Sequence, residues 1–555
     1  MHSSVAGASA AARLRRLDEK ASIIIFEKGQ DPSFANCGMP YHIGGEIMDR
    51  SKLNVQTPAS LKARLNLDVR CLTEVLSINR EAKTVQVLEY ATQTQSTEPY
   101  DDLILSVGAK AFMPPIPGIS RKGNFALRNL QDMDQIDGWL KESGAKRAVV
   151  AGAGFIGIEM AEQLKHRGLD VVLVEAAPQI MAPIDVEIAA MLQKELEANG
   201  VRVLVGDAID AFEEPTDGAM GSDLVLKSGG RLHADLVILG LGVRAESKLA
   251  KEAGLEVSVR GGIVVDDFLR TADPHVWAVG DAIEVKNPTL GDSWMVAMAG
   301  PANRQGRMVA DNICAAPGTL RSYRGTIGTS VLRCFSYTCA CTGVNERTLK
   351  SRGVPYKAIH LWPASHAGYY PGSTEMLLKV LFDPTDGRVL GAQATGKDKV
   401  EKRIDVIATA MHSHLTMDDL AELELCYAPP YGGAKDPVNL AGMMGQNIID
   451  GLVKTCTWDE VPALVNKPET LVLDVRTEKE RDTTLVYAKS LHIPIDQLRG
   501  RFAELPPAVE NKVLLIHCES GLRSYYACVM LQQHGYTCIN LCGGNKLWQV
   551  YGSTL

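Results

Sequence analysis

Two cysteines sit in settings where a thiol can react. Cys37 lies in Ser33-Phe34-Ala35-Asn36-Cys37-Gly38-Met39-Pro40-Tyr41, soon after the apolar run Ile23-Ile24-Ile25-Phe26 that ends at Glu27. Cys518 opens Cys518-Glu519-Ser520-Gly521-Leu522-Arg523, between the strand-like run Lys512-Val513-Leu514-Leu515-Ile516-His517 and a helix expected over 521–533. A Cys-to-Arg loop of this length can turn its backbone N–H groups onto one sulfur. The helix N-terminus that follows adds positive potential, which favours a thiolate or a persulfide anion. A phosphatase-type loop is one residue longer, so sulfur fits better than phosphate. At Cys37, too, the reactive species would be the thiolate, which a helix N-terminus or cationic neighbours would favour.

Two further constellations point to nucleotide chemistry. Gly152-Ala153-Gly154-Phe155-Ile156-Gly157 stands between the strand Arg147–Ala151 and a helix expected over 158–167, and the next strand, Asp170–Glu175, closes on an acid. Gly152 permits a tight turn, and Gly154 lets backbone approach a pyrophosphate that the helix N-terminus attracts. Glu175 can accept from a ribose 2′-OH and would repel a 2′-phosphate. Farther on, Thr271-Ala272-Asp273-Pro274-His275-Val276-Trp277-Ala278-Val279-Gly280-Asp281 is a short strand ending in Gly280-Asp281, which places a carboxylate at a strand end, suited to the hydroxyls of a ribityl chain. The Val5–Leu17 helix pattern followed by the Glu27 strand is half of a second dinucleotide unit. Its opening strand and glycine turn are not read in the sequence: Gly7 matches the third glycine, and His2 and Ser4 fall at the first two glycine-turn positions.

The elements that must hold these residues fit the length. With 555 residues, three to five domains are expected. Val331 to Gly442 reads as strands with one helix, including a hairpin of Leu377–Phe382 and Val389–Gln393 and a helix over 399–412. A separate small α/β unit begins near Thr455. Hydrophobic residues are 46%, charged residues 22%, and the net charge is −8 without a long basic run, which argues against nucleic acid and anionic membranes as partners. No apolar stretch reaches the ~18 residues of a membrane span. Twelve cysteines are too few for a disulfide framework and suit a reducing, cytoplasmic setting. Cys334, Cys339 and Cys341 complete no zinc set, Cys538 and Cys542 read as structural, and no metal site is expected.

Ser33–Gly45, Gly152–Glu162, Thr271–Ala282 and Tyr427-Ala428-Pro429-Pro430-Tyr431-Gly432-Gly433-Ala434-Lys435-Asp436-Pro437-Val438-Asn439 resemble the coenzyme A–disulfide reductase family, and with the C-terminal unit the chain resembles its rhodanese-fused branch, within the pyridine nucleotide-disulfide oxidoreductases. Flavoenzymes of the glutathione-reductase type carry a second cysteine five residues on; here that position is His42, so the thiol would pair with a small-molecule thiol.

The resemblance implies an α/β protein with two Rossmann-like FAD- and NAD-binding domains, an α+β dimerisation domain and a C-terminal rhodanese α/β domain. The limits expected are 1–120 with 245–325 for FAD, 121–244 for NAD(P)H, 326–450 for the interface and 456–555 for the rhodanese. It implies NADH- or NADPH-dependent, FAD-mediated reduction of CoA-disulfide, CoA-persulfide or polysulfide in a homodimer. Cys37 would form the mixed disulfide with CoA; Ser33 and Asn36 would line the CoA thiol end; Ser9, Arg13, Arg16, Asn303 and Lys435 would contact CoA, the arginines at its phosphates. Tyr427, supplied across the dimer, and Tyr369 would donate protons to a departing thiolate or persulfide. Gly7, Glu27, Lys28, Gly280 and Asp281 would hold the flavin nucleotide, and Gly152, Gly154, Gly157 and Glu175 the nicotinamide one. Cys518 would carry sulfane sulfur, with Arg523 at its loop end and Asp474 and Arg476 bracing the loop. One departure lies at Thr483-Thr484-Leu485-Val486-Tyr487-Ala488, where the family usually has Gly-His-Ile-x-Gly-Ala. Two alternatives share these motifs: an NADH oxidase or peroxidase working through a cysteine sulfenic acid, and a flavin-free sulfur carrier.

Overall fold

The computed structural model describes residues 5–216, 218–481, 489–508 and 512–551. The Met1–Ser4 start, with the positions of His2 and Ser4, and the departure at 483–488 lie outside them. The chain divides into two compact units, residues 1–178 with 200–328, and residues 179–199 with 329–555.

In the first unit the glycine motif lies in a five-stranded parallel sheet. Its order is Asn124–Phe125, Leu236–Leu239, Arg147–Ala151, Asp170–Glu175, Val201–Val205. The central strand's apolar run is explained by its two neighbours: Val149 faces Val172 on one side and Val237 on the other. Burial on both faces removes any polar alternation. The helix after the motif is Phe155–His166, three residues earlier at its start than the sequence suggested, because Gly154 rather than Gly157 caps it.

The second nucleotide unit is built differently. The helix Val5–Leu17 is present as expected. The Glu27 strand is shorter than its sequence pattern, Ile24–Phe26, and pairs in parallel with Asp68–Arg70. Leu103–Leu105 pairs in parallel with Val276–Ala278, the strand that leads to Gly280. Among the described residues these are two separate two-stranded sheets. What joins them is packing. Ala6 and Ala10 are buried in one core with Leu105, Ala278 and Val309. The Val5–Leu17 helix lies on the helix Ala299–Ile313 so closely that a Cβ on Gly306 would stand 2.2 Å from the Ala6 carbonyl oxygen.

The second unit holds an antiparallel sheet and a parallel one. The antiparallel order is Ser330–Cys334, Tyr337–Gly343, Val389–Gly396, Met376–Phe382, Lys357–Leu361, and the expected hairpin is there, with Leu378 opposite Ala394. The helix Val400–His412 covers it. Cys334, on the edge strand, and Cys339 and Cys341, on the strand beside it, are buried as packing residues. The parallel sheet runs Lys454–Cys456, Thr537–Leu541, Val513–His517, Thr470–Asp474, Leu491–His492, and Leu522–Gln532 is the helix after Cys518. The two sheets are joined by hydrogen bonds that run from a buried one at His360 to an exposed one at Lys546. The His360 backbone N–H donates to Cys542 Sγ at 3.0 Å, Trp362 Nε1 donates to the Gly543 carbonyl at 3.0 Å, and Lys546 Nζ reaches Glu375 at 2.5 Å.

Candidate functional site

The glycine turn has the shape a pyrophosphate requires. Gly152 is left-handed at φ +95°, and a Cβ there would lie 2.3 Å from the Gly240 carbonyl oxygen; one on Gly157 would lie 1.9 Å from the Gly152 carbonyl oxygen. Gly154, between them, meets nothing within 4 Å. Two glycines thus close the turn on itself and the third leaves open space at the helix N-terminus, which fits a dinucleotide. Glu175 is held in place by its own loop: its carboxylate accepts from Ala153 N at 2.7 Å and Ala177 N at 2.8 Å. Each oxygen retains a lone pair for a ribose hydroxyl.

Cys37 stands exposed in the short turn Asn36–Gly38, before the helix Met39–Gly44. Of the two settings that would favour its thiolate, the helix start follows directly, while the charges that bear on the thiol are carboxylates. Burial pushes its thiol up, and the carboxylates of Glu159 and Asp281 push the same way. The loop faces the acid at the Gly280-Asp281 strand end and the helix that carries Glu159. Asp281 is itself raised by burial, with Arg128 opposing. Arg128 is half-buried and its charge is disfavoured by that partial burial, while Glu246, Asp281, Asp132 and Glu27 favour it. Its own carbonyl accepts from Asn36 Nδ2 at 3.5 Å. Asp281, Glu27, Arg128 and Cys37 therefore share one neighbourhood, whose acids at strand ends and Arg128 guanidinium fit a flavin nucleotide. Gly280 N is fixed by Gln305 Oε1 at 2.7 Å, and Glu27 accepts from Gly29 N at 2.7 Å.

Other expected contacts are brought together unevenly. Ser9 Oγ donates to Asn303 Oδ1 at 2.9 Å, so these two form one patch. Arg13 Nε is paired with Asp311 at 2.6 Å, Arg16 is exposed on the same helix, and Lys28 Nζ is paired with Glu74 at 2.7 Å. Ser33 is in the strand Ser33–Phe34, and Lys435 is exposed before the cap residue Asp436. Gly7 lies in the first turns of the Val5–Leu17 helix. Glu46, Glu162 and His166 offer ligand atoms within 4.8 Å of one another. Gln163 Nε2 donates to Glu46 at 3.0 Å, and this group reads as pairing between a helix and a loop.

In the second unit the two tyrosines meet: Tyr369 and Tyr427 hydroxyls are 3.2 Å apart, and the hydrogen bond to Tyr427 raises the Tyr369 pKa. Tyr370 instead stands edge-on to His366, with ring centroids 5.8 Å apart. Lys399, left-handed at φ +57°, ties both tyrosine segments together, donating to the Pro430 carbonyl and lying 3.2 Å from His366 Nδ1. Arg403, fully buried, does the same through Ser365 O at 2.9 Å and Asp436 at 3.1 Å.

Cys518 is buried at the base of its loop, where Sγ accepts from Gly521 N at 3.1 Å and Ser524 Oγ at 3.3 Å. Gly544 closes the loop from below; a Cβ there would stand 2.7 Å from the carbonyl oxygens of Cys518 and Glu519. Asp474 and Arg476 are both fully buried and bonded to each other at 2.9 Å, the bracing role expected. Arg523 is engaged by a residue that sequence reasoning missed: both its terminal nitrogens donate to Glu480, at 2.8 and 2.6 Å. Thr477-Glu478-Lys479-Glu480 is a capping-box pattern and signalled the position of that acid. Arg128, Glu159 and Lys399 were also missed; only Glu159, on the helix after the glycine turn, had a local motif to point to it.

Comparison with known proteins agrees with this architecture. Residues 3–300 match the family described as pyridine nucleotide-disulphide oxidoreductase, residues 331–436 its dimerisation domain and residues 457–550 the rhodanese-like domain. The coenzyme A disulfide reductase of Staphylococcus aureus is 36% identical over 436 residues, 79% of this chain and 96% of its own. The reduced CoADR-RHD of Bacillus anthracis superposes with a TM-score of 0.95 at 46% identity, covering 99% of this chain and 96% of the other. An NAD-dependent persulfide reductase from A. fulgidus superposes with a TM-score of 0.89 at 34% identity, covering 98% of each.

Proposed function

Because the chain belongs to the pyridine nucleotide-disulphide oxidoreductase family, we propose that it is an FAD-dependent enzyme that uses NADH to reduce CoA-disulfide or CoA-persulfide, with a rhodanese domain that carries sulfane sulfur. The observation that carries this reading is the exposed thiol of Cys37 beside the half-buried Asp281, with His42 where a partner thiol would stand. Polysulfide is the third member of the same substrate class.

Bound flavin supplies two-electron transfer between the nicotinamide and sulfur. The chain's residues do the rest. The turn at Gly152, Gly154 and Gly157 binds the pyrophosphate of NADH, and Glu175 takes its ribose hydroxyl and disfavours the 2′-phosphate of NADPH. Gly7, Glu27, Gly280 and Asp281, with Arg128, hold FAD. Ser9, Asn303, Arg13 and Arg16 receive CoA, with Ser33, Asn36 and Lys435; Arg13 must then exchange Asp311 for phosphate. The Cys37 thiolate attacks the disulfide to give Cys37–S–S–CoA and one CoA thiolate. The Tyr369–Tyr427 pair, contributed across a homodimer, gives that thiolate its proton. Overall, CoA–S–S–CoA + NADH + H⁺ gives 2 CoA–SH + NAD⁺, and CoA–S–SH + NADH + H⁺ gives CoA–SH + H₂S + NAD⁺.

The domain limits proposed are 1–120 with 245–325 for FAD, 121–244 for NAD(P)H, 326–450 for the interface and 456–555 for the rhodanese part. The 12 cysteines are free thiols, as suits a reducing cytoplasm, and no helix among the described residues is long and apolar enough to cross a membrane.

Cys37→Ser tests the reading directly. NADH oxidation coupled to CoA-disulfide and to CoA-persulfide is expected to fall at least about 10³-fold, while Cys518→Ser retains CoA-disulfide reduction and loses sulfane-sulfur transfer. Persistent turnover in Cys37→Ser sinks the assignment. An NADH oxidase working through a sulfenic acid would instead turn over oxygen or peroxide in preference to these substrates.

A further inference from the structure

At the mouth of the Cys518 loop, the guanidinium of Arg523 that faces Cys518 is paired with an acid. Arg523, the last residue of the loop, is gripped by both oxygens of Glu480, at 2.6 and 2.8 Å. Glu480 is not a chance neighbour. Thr477 N and Oγ1 donate to it at 2.9 and 2.8 Å, which fixes it at the start of the helix Glu478–Arg481. The Arg523 hydrogen bond, with those donors, holds its carboxyl down to about 2, so it is charged at every working pH. A second acid, Glu519, is part of the loop itself, and the nearby Arg476 is already bonded to Asp474.

We infer that Glu480 selects the sulfur donor of the rhodanese site by charge: it neutralises Arg523, so that the site takes sulfur from alkyl persulfides and disfavours donors that leave as a dianion, such as thiosulfate. The inference rests on the reading that Cys518 carries sulfane sulfur. The accepted step is R–S–S⁻ + Cys518–SH → R–SH + Cys518–S–S⁻. The sulfur–sulfur bond of the donor breaks, a new one forms to Cys518, and the thiol proton passes to the leaving thiolate. The disfavoured step, Cys518–S⁻ + S–SO₃²⁻ → Cys518–S–S⁻ + SO₃²⁻, brings a dianion to a loop whose Arg523 guanidinium is occupied by Glu480, with Glu519 also in the loop. Persulfide consumption by Cys37 chemistry and persulfide acceptance at Cys518 would then share one donor class.

The test uses the full chain and thiocyanate formation from cyanide, with thiosulfate or glutathione persulfide as donor. In Glu480→Gln the ratio of kcat/KM for thiosulfate to that for the persulfide is expected to rise about tenfold at low ionic strength and to shrink towards the wild-type ratio in high salt. Glu480→Ala gives the same direction if the glutamine variant folds poorly, and Glu480→Asp, which keeps the charge, stays at the wild-type ratio. An unchanged ratio in both neutral variants overturns the inference, as does an equal rise in Glu480→Asp, which would mark a structural effect. Failure of the underlying reading looks different: wild-type Cys518 would then gain no sulfur atom by mass from the persulfide donor, whatever stands at residue 480.

Discussion

Cys37 is a thiol placed among carboxylates, and that sets its pH behaviour. Burial, Glu159 and Asp281 all oppose the thiolate. Removing the Glu159 charge relieves one of the three. Glu159→Gln is therefore expected to move the pH profile of Cys37 alkylation to lower pH, since a thiol with one fewer anion nearby ionises more easily. Iodoacetamide labelling of the flavin-free protein followed by mass at Cys37 reads this; a shift to higher pH would show that Glu159 acts through some other contact, such as the 3.2 Å hydrogen bond from Tyr41. At this scale the sequence was informative wherever a residue type and its chain neighbours define the chemistry. Cys37, Gly154, Glu175 and Cys518 were legible for that reason. Arg128 and Lys399 were not, because what matters about them is a partner more than 30 residues away: Asp281 for the first, the Pro430 carbonyl for the second.

Between elements, the closest approach in the FAD-binding part is the helix Val5–Leu17 on the helix Ala299–Ile313. Alanine is normally better than glycine inside a helix by about 1 kcal/mol. At Gly306 the sign is expected to reverse, because the added Cβ would meet backbone, the Ala6 carbonyl oxygen at 2.2 Å, which no rotamer change relieves. Gly306→Ala should destabilise by about 1–3 kcal/mol in denaturant unfolding; a stabilised variant would show that the two helices are farther apart. Element boundaries show why only part of the fold was readable. Asp170–Glu175 was read to the residue because it is an inner strand with a parallel neighbour on each side and an apolar run, Val171–Val174. The Glu27 strand was read too long, since Ile23 and Ser22 continue its pattern although only Ile24–Phe26 finds a ladder partner, in Asp68–Arg70. The Asp68–Arg70 strand itself has no alternation or apolar run to reveal it; its register is a tertiary fact.

At the scale of the molecule, the unit containing 329–555 is held by charges buried where the two sheets join. Lys379 is fully buried against Glu187, Asp185 and Glu346, and His360 Nε2 lies 2.7 Å from Glu187. Against the effect of burial, Lys379 holds the Glu187 and Glu346 carboxyls below their ordinary value of 4.5. Also against burial, Cys542 and Glu187 hold His360 at about 9, above its ordinary 6.5. The carboxylates' contribution is present above pH 4.5 and lost as pH falls through their lowered values. The imidazolium's contribution is full below pH 6.5 and lost as pH rises towards 9. Stability of this unit should thus be greatest between about pH 4.5 and 6.5, and His360→Asn should flatten the alkaline decline in a series of urea midpoints. None of this junction was visible in the sequence, where Cys542 and His360 are isolated residues of two different domains. The same junction governs how such a chain can change over generations. The Cys542 sulfur accepts from the His360 backbone N–H, and the adjoining Gly544 shapes the loop of Cys518. A foreign sulfurtransferase grafted after residue 455 would bring its own reactive loop but not the sulfur that seats it. The two halves of the fusion are heirs to each other's mutations, and residue 542 is expected to change only together with the path of the Lys357–Leu361 backbone that it seats.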